Sequence, residues 1–375
     1  METARSLTHN APLRRVPFLN LKSLYQEHRE EFRQAIDSIL DNTEYISGPS
    51  VERFEKAFGA WCGAGLNSVS VGNGTDAITV AAKGLGLLAG AEAILPAMTF
   101  IATAEGMMNA GFTVKLVDVE PGTWLMDPVL LKKAISPKTQ VVVPVHLYGQ
   151  MARMDLIQEA SQGRTILEDA AQSHGATYQG HGPAYWGKVA TFSFYPGKNL
   201  GAFGDGGALV SRDKSYLDHC SAYAKHGGLL KYEHNFVGAC SRLDGLQAAI
   251  LSVKLKYIDQ WTERRRRVAA LYREYLGGIK TITLPRETSG ARHVYHLFVI
   301  ETENRERLQA HLKNYGIDSG IHYPKAIHQL EAFRDKGWGP FPVAERIARH
   351  GLSLPMCPTL TEGDIQSVRD CLNRY

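Results

Sequence analysis

The sequence predicts an α/β protein: a mostly parallel seven-stranded sheet with helices on both faces, followed by a smaller C-terminal α+β domain. Three observations predict it. Seven short apolar runs alternate with helix-length stretches between Asn67 and Ser211. A long helical pattern from about Leu243 to Leu276 separates them from a tail with a different pattern. The chain has 375 residues, a length that suits two domains. The boundaries this suggests are a loose arm over 1–16, a large domain over 17–255 and a small one over 256–375.

In chain order, "NLKSLYQEHREEFRQAIDSILDN" places Leu21, Leu24, Phe32, Ile36 and Ile39 on one helical stripe. "SVERFEKAFGAWCG" predicts a second helix, with Ser50 as N-cap and Gly63 as its stop. The strand candidates follow: "NSVSV", "AILPA", "TVKLVDV", "QVVVPVHL", "RTILED", "VATFSF" and "GALVS". Short apolar runs separated by helix-length connections are the mark of strands buried on both faces. Beyond the long helix, "HVYHLFVIE" and "IDSGIHYP" predict two strands around a helix over "RERLQAHLKNYG". A last helix starts near "TEGDIQSVRDCL", where Thr361 and Asp364 fit a capping box.

Composition bounds the function. Hydrophobic residues make up 44% and charged residues 21%, as in soluble globular proteins. A net charge of +4 suits an anionic small substrate and gives little support to a nucleic-acid partner. The basic run "ERRRRVAALYREYL" has apolar residues at helical spacing (Trp261, Val268, Leu271, Tyr275) and reads as a solvated helix face. Five scattered cysteines without metal-ligand spacing read as reduced thiols of a cytoplasmic protein with no metal site. The first residues lack the apolar core of a secretory signal, and no run of about 18 apolar residues offers a membrane span.

"VGNGTDA" follows a strand and opens a helix, matching the G-x-G-x-x-A of a dinucleotide site. That site also needs an acid at the carboxyl end of the next strand, and Glu92 precedes "AILPA" instead. What remains is a cup for one phosphate group: the amides of Gly74 and Thr75, with the Thr75 hydroxyl, at a helix N-terminus. Asp169 ends the strand "RTILED", Ser193 lies at the end of the next, and Lys198 sits five residues on, in the glycine-rich "FYPGKNLGAFGDGG". "PGKN" lacks the first glycine and the hydroxyl residue of a P-loop. A phosphate cup, a buried carboxylate and a loop lysine at strand ends are what pyridoxal phosphate requires. The lysine captures the aldehyde, and the carboxylate keeps the ring nitrogen protonated.

With "GNGTDA", "PAMTFIATA", "VPVHLYGQ", "LEDAAQSHGA", "FSFYPGKNLGAFGDGG", "SRLDGLQAAIL", "HVYHLFVI" and "GIHYPKAIH", nearly the whole chain resembles the DegT/DnrJ/EryC1/StrS family of pyridoxal-phosphate nucleotide-sugar aminotransferases. The resemblance implies fold-type I, with the cofactor in the large domain. It implies Lys198 as Schiff-base lysine and proton shuttle, and Asp169 as partner of the pyridine nitrogen. It places Gln172 on the ring hydroxyl, Phe100 against the ring, and Gly74, Thr75 and Ser193 on the phosphate. The wording is most similar to enzymes that aminate dTDP-3-keto-6-deoxyhexoses with L-glutamate as donor, working as homodimers whose sites are completed by the partner chain. Tyr195, His322, Tyr323 and His328 are then candidates for the sugar pocket, with His146 and Tyr148 behind them; for His322 and Tyr323 aromatic packing at a domain junction is the competing reading.

Three other readings stand beside this one. The first is amination at C4 of a 4-keto sugar. The second is a non-catalytic regulator, which needs no intact lysine. The third is a dehydratase, whose family members carry histidine where this chain has Lys198. One departure concerns the cofactor. Relatives commonly read Gly-x-Asn-Ser-Arg before the long helix, the asparagine reaching the neighbouring subunit's cofactor phosphate, and here Cys240 stands in that position. A thiol is a weak donor, so a looser cofactor is expected.

Overall fold

The structure, a computed structural model, describes residues 15–230 and 232–375. Most of the segment expected to be a loose arm lies outside the described residues. Its last two residues are packed: Val16 is fully buried and its N–H donates to the Gly316 carbonyl at 2.9 Å, while Arg15 pairs with Asp318 at 3.0 Å.

All seven strand candidates form one sheet. They are β1 (Asn67–Val71), β2 (Glu92–Pro96), β3 (Thr113–Val117), β4 (Thr139–Val142), β5 (Thr165–Asp169), β6 (Val189–Ser193) and β7 (Gly207–Ser211). Their order is β1-β7-β6-β5-β4-β2-β3. Only β7 runs against its neighbours β1 and β6; the other pairings are parallel. β6 and β7 are buried at every position, which is why they read as unbroken apolar runs. Glu92 accepts hydrogen bonds from Thr139 Oγ1 (2.6 Å) and Ser136 Oγ (3.1 Å) at the amino end of the sheet, where no ribose could meet it.

Tertiary contacts override the helix pattern in two places. The first predicted helix breaks at His28 into Leu21–Glu27 and Arg29–Asn42, and the long one breaks after Lys256 into Gly245–Leu255 and Ile258–Leu276. The breaks meet: the His28 ring stacks on Tyr257 with centroids 3.7 Å apart. The next helix runs Pro49–Cys62, so Gly48 and not Ser50 is its cap. Proline suits the first helical position, and the Ser50 N–H is taken by Glu44 Oε2 at 3.1 Å. Gly63 ends it as predicted.

The C-terminal part has its own core, including Tyr272, Phe298, Leu308, Leu352 and Val368. There β8 (Phe298–Glu301) pairs antiparallel with β9 (Gly351–Leu354). "IDSGIHYP" is not the second strand. It makes single bridges, Ile317 to Val16 and Gly320 to Ser353, and then turns away at Pro324, which has no N–H for a ladder. The last helix, Glu362–Asn373, carries the predicted box, with Thr361 and Asp364 bonded reciprocally. No helix among the described residues is long and apolar enough to cross a membrane.

Candidate active site

The loops after β1, β2, β5 and β6 converge with segments of the C-terminal part on one cleft of about 740 Å³. Gly74, Thr75, Phe100, Asp169, Gln172, Ser193, Tyr195, Lys198, His322 and Tyr323 all line it.

The cup is built from the first turn of the helix Gly74–Gly84. Asn73 caps it, its Oδ1 taking the Asp76 N–H at 2.8 Å and its carbonyl the Ala77 N–H at 3.0 Å. The N–H groups of Gly74 and Thr75 are left outside the helix's own bonding. A Cβ on Gly74 would lie 2.6 Å from Cβ and 3.0 Å from Oγ of Ser193, so only glycine lets the helix end press onto that serine. Ser241 ties in the stretch that carries Cys240: its hydroxyl donates to Asp76 Oδ2 at 2.6 Å and accepts the Gly72 N–H at 3.0 Å. Cys240 itself is exposed.

Asp169 is almost buried, and its oxygens accept from Thr103 Oγ1 (2.8 Å) and the Ala171 N–H (3.1 Å). Lys198 is half-buried in a tight loop, where a Cβ on Gly201 would sit 2.4 Å from the Pro196 carbonyl oxygen. Burial pushes the lysine amine down to about 8, against the opposing pull of the Asp169 charge. Gln172 is held at both ends, its Oε1 accepting the Tyr148 N–H (2.6 Å) and its Nε2 donating to the Tyr323 hydroxyl (3.0 Å). Phe100 is half exposed, with its ring centroid 5.4 Å from that of Tyr323. His322 stacks on Phe18 and lies 2.9 Å from Ser353 Oγ; burial pushes its imidazole down to about 4.

Not every expected residue arrives. His328 does not line the cleft; its Nε2 lies 3.0 Å from Glu345 Oε1 and its ring packs on Phe341, so that carboxylate holds it elsewhere. His146 is fully buried against Glu168 at 2.9 Å, with its N–H on the Asp169 carbonyl, and supports the strand ends from behind. Tyr148 donates its hydroxyl to the His322 carbonyl.

Sequence reading missed Thr103 and Arg265. Thr103 passes for an ordinary helix residue, and only the fold reveals its bond to Asp169. Arg265 lies in the run expected to be a solvated face, yet it is 3% exposed and lines the cleft. The buried stripe of its helix is Trp261, Arg265, Val268, Tyr272, Leu276, while Leu271 and Tyr275 are only partly buried. Its phase, four residues past a tryptophan and three before a valine, was the available signal.

The residues fit pyridoxal phosphate. A glycine-shaped anion seat, a hydrogen-bonded buried carboxylate, an amine poised near neutrality and an aromatic wall occupy one cleft at the strand ends. That arrangement on a mostly parallel sheet defines a pyridoxal-phosphate transferase of fold type I. The model of the DegT/DnrJ/EryC1/StrS aminotransferase family matches residues 26–373. The chain is 41% identical over 373 residues to the dTDP-3-amino-3,4,6-trideoxy-alpha-D-glucose transaminase of Streptomyces venezuelae, covering 98% of each. It is 40% identical to a pleiotropic regulatory protein of Geobacillus stearothermophilus over 94% of this chain and 96% of that one. Its structure is similar to S. venezuelae DesV in complex with a ketimine intermediate, with a TM-score of 0.93, 42% identity and coverage of 96% and 98%. The chain belongs to the DegT/DnrJ/EryC1/StrS aminotransferase family, and pyridoxal phosphate is its cofactor.

Proposed function

We propose that the protein transfers the amino group of L-glutamate to a nucleotide-linked keto sugar, a dTDP-3-keto-6-deoxyhexose, and so forms a 3-amino sugar. One observation carries the reading: Lys198, Asp169 and the seat of Gly74, Thr75 and Ser193 line a single cleft. The similarity to a 3-amino-sugar transaminase along the whole chain supports the substrate class.

Bound in the cleft, pyridoxal phosphate supplies an aldehyde for amines and a ring that accepts electrons. The Lys198 Nζ would move a proton between the donor or sugar carbon and the cofactor's aldehyde carbon within each half of a ping-pong cycle; an amine near pH 8 can both take and give it. The Asp169 carboxylate would keep a proton on the ring nitrogen, and Thr103 and the Ala171 N–H hold that carboxylate in place. Gln172 would meet the ring hydroxyl, Phe100 would wall the ring, and Gly74, Thr75 and Ser193 would hold the phosphate. Tyr195, His322 and Tyr323, which line the same cleft, would meet the sugar.

The active form is proposed to be a homodimer. Leu229, Leu230 and Val237, between 57% and 94% exposed in one chain, support it, because they surround the stretch leading to Cys240. The name of the Geobacillus relative favours a regulator as second reading. Retention of Lys198 with its carboxylate partner favours catalysis.

The test is a product assay with L-glutamate and a panel of dTDP-3-keto and dTDP-4-keto 6-deoxyhexoses, the new amine assigned by NMR beside a Lys198→Ala control. Amine at C3 is expected. Amine at C4 moves the protein to the other branch, and no lysine-dependent product from any sugar favours the regulator.

A further inference from the structure

Arg265 is a buried cation that no acid of the described chain neutralises. It is 3% exposed, and no Asp or Glu among the described residues lies within ion-pair distance of it. Its neighbours differ: Arg264 grips Glu27 at 2.7 and 3.0 Å, and Arg266 lies 3.7 Å from Glu287. The Arg265 Nη1 donates to the carbonyls of Met356 (3.0 Å) and Tyr295 (3.2 Å), while the buried Nε has no hydrogen-bond partner. A guanidinium removed from water without a counter-charge is costly. This one lines the same cleft as Lys198.

The other charges of the cleft sharpen the point. Lys198 and Arg265 are the only lysine and arginine among its described lining residues. His322 and His296, which also line it, are pushed towards the neutral form by burial. The amino donor brings two carboxylates, and Lys198 is committed to chemistry. The planar fork of an arginine fits a carboxylate bidentately, and here the hydrogen bonds of Arg265 fall on Nη1 alone.

We propose that Arg265 is a donor subsite, its guanidinium binding one carboxylate of the amino donor. The proposal rests on the aminotransferase reading and deepens it.

The test separates the two half-reactions in wild type, Arg265→Lys and Arg265→Gln holoenzymes by following cofactor absorbance. Arg265→Gln is expected to raise the apparent dissociation constant for L-glutamate by about ten-fold or more, with Arg265→Lys in between. The amine-charged form of the same variant should pass its amino group to the keto sugar at a rate within about three-fold of wild type, which a general packing defect would not spare. Glutarate, a dicarboxylate without an amine, should raise the melting temperature of the wild-type holoenzyme and leave that of Arg265→Gln unmoved. Unchanged glutamate binding, equal losses in both half-reactions, or failure of both variants to fold would each overturn the proposal and make Arg265 a structural tie. Wild type that accepts the glutamate amine but passes it to no keto sugar would sink the substrate assignment and leave the donor subsite standing.

Discussion

Lys198 illustrates how much of the chemistry is a matter of surroundings. A lysine in water holds its proton until far above neutrality; here burial brings the amine down to about 8. The neutral amine is the nucleophile, so the sign follows. The rate at which the apoprotein captures pyridoxal phosphate should rise about ten-fold per pH unit below 8 and level off above it. Stopped-flow absorbance would check this, and a rate flat from pH 6 to 9 would refute it; Lys198→Ala should show no such phase. The lysine, Asp169, Ser193 and the cup were legible because their spacing after strands is itself the chemistry. Arg265 was not: a charge run looks solvated until the phase of its helix is known. His328 was misplaced for the opposite reason, since nothing in "GIHYPKAIH" shows that Glu345 claims it.

Among the elements, legibility followed locality. The seven runs of the large sheet carried their own signal, because a strand buried on both faces has no choice but to be apolar. The two helix breaks were invisible, because each exists for a ring on the other segment, His28 on Tyr257. The second strand of the C-terminal part was misplaced because β9 lies much later in the chain and a four-residue strand has little pattern of its own. The junction of β1 with the helix Gly74–Gly84 makes a sharp prediction. Gly74→Ala would force a methyl to within 2.6 Å of Ser193 Cβ, and a site packed this closely cannot absorb it without moving the helix end. Cofactor binding should weaken by about 1–3 kcal/mol, roughly five- to 150-fold, with unfolding of the apoprotein affected less. Fluorescence titration with pyridoxal phosphate and urea melts of the apoprotein would separate the two. Equal losses in both would show that the glycine serves only packing.

At the scale of the whole molecule, the exposed residue Cys240 links the cup to the proposed dimer. If the second subunit's cofactor phosphate lies beyond it, Cys240→Asn restores a donor where a weak one stands, tightening the cofactor by roughly 1.5–3 kcal/mol. Sedimentation velocity should give twice the 41.4 kDa of one chain for both proteins. A monomer, or no tightening in a dimer, would refute the shared-site reading. The cleft also has a history written into its walls. Phe18 and Leu19 line it, Val16 is pinned to Gly316, and His322, Tyr323 and Met356 come from the last sixty residues. A ribosome delivers the chain from the amino end, so the earliest part of the wall must wait, unpaired, for the latest. The large sheet can assemble while synthesis continues, but the catalytic cavity closes only once nearly the whole polypeptide has emerged, and a prematurely terminated product has nowhere to hold a sugar.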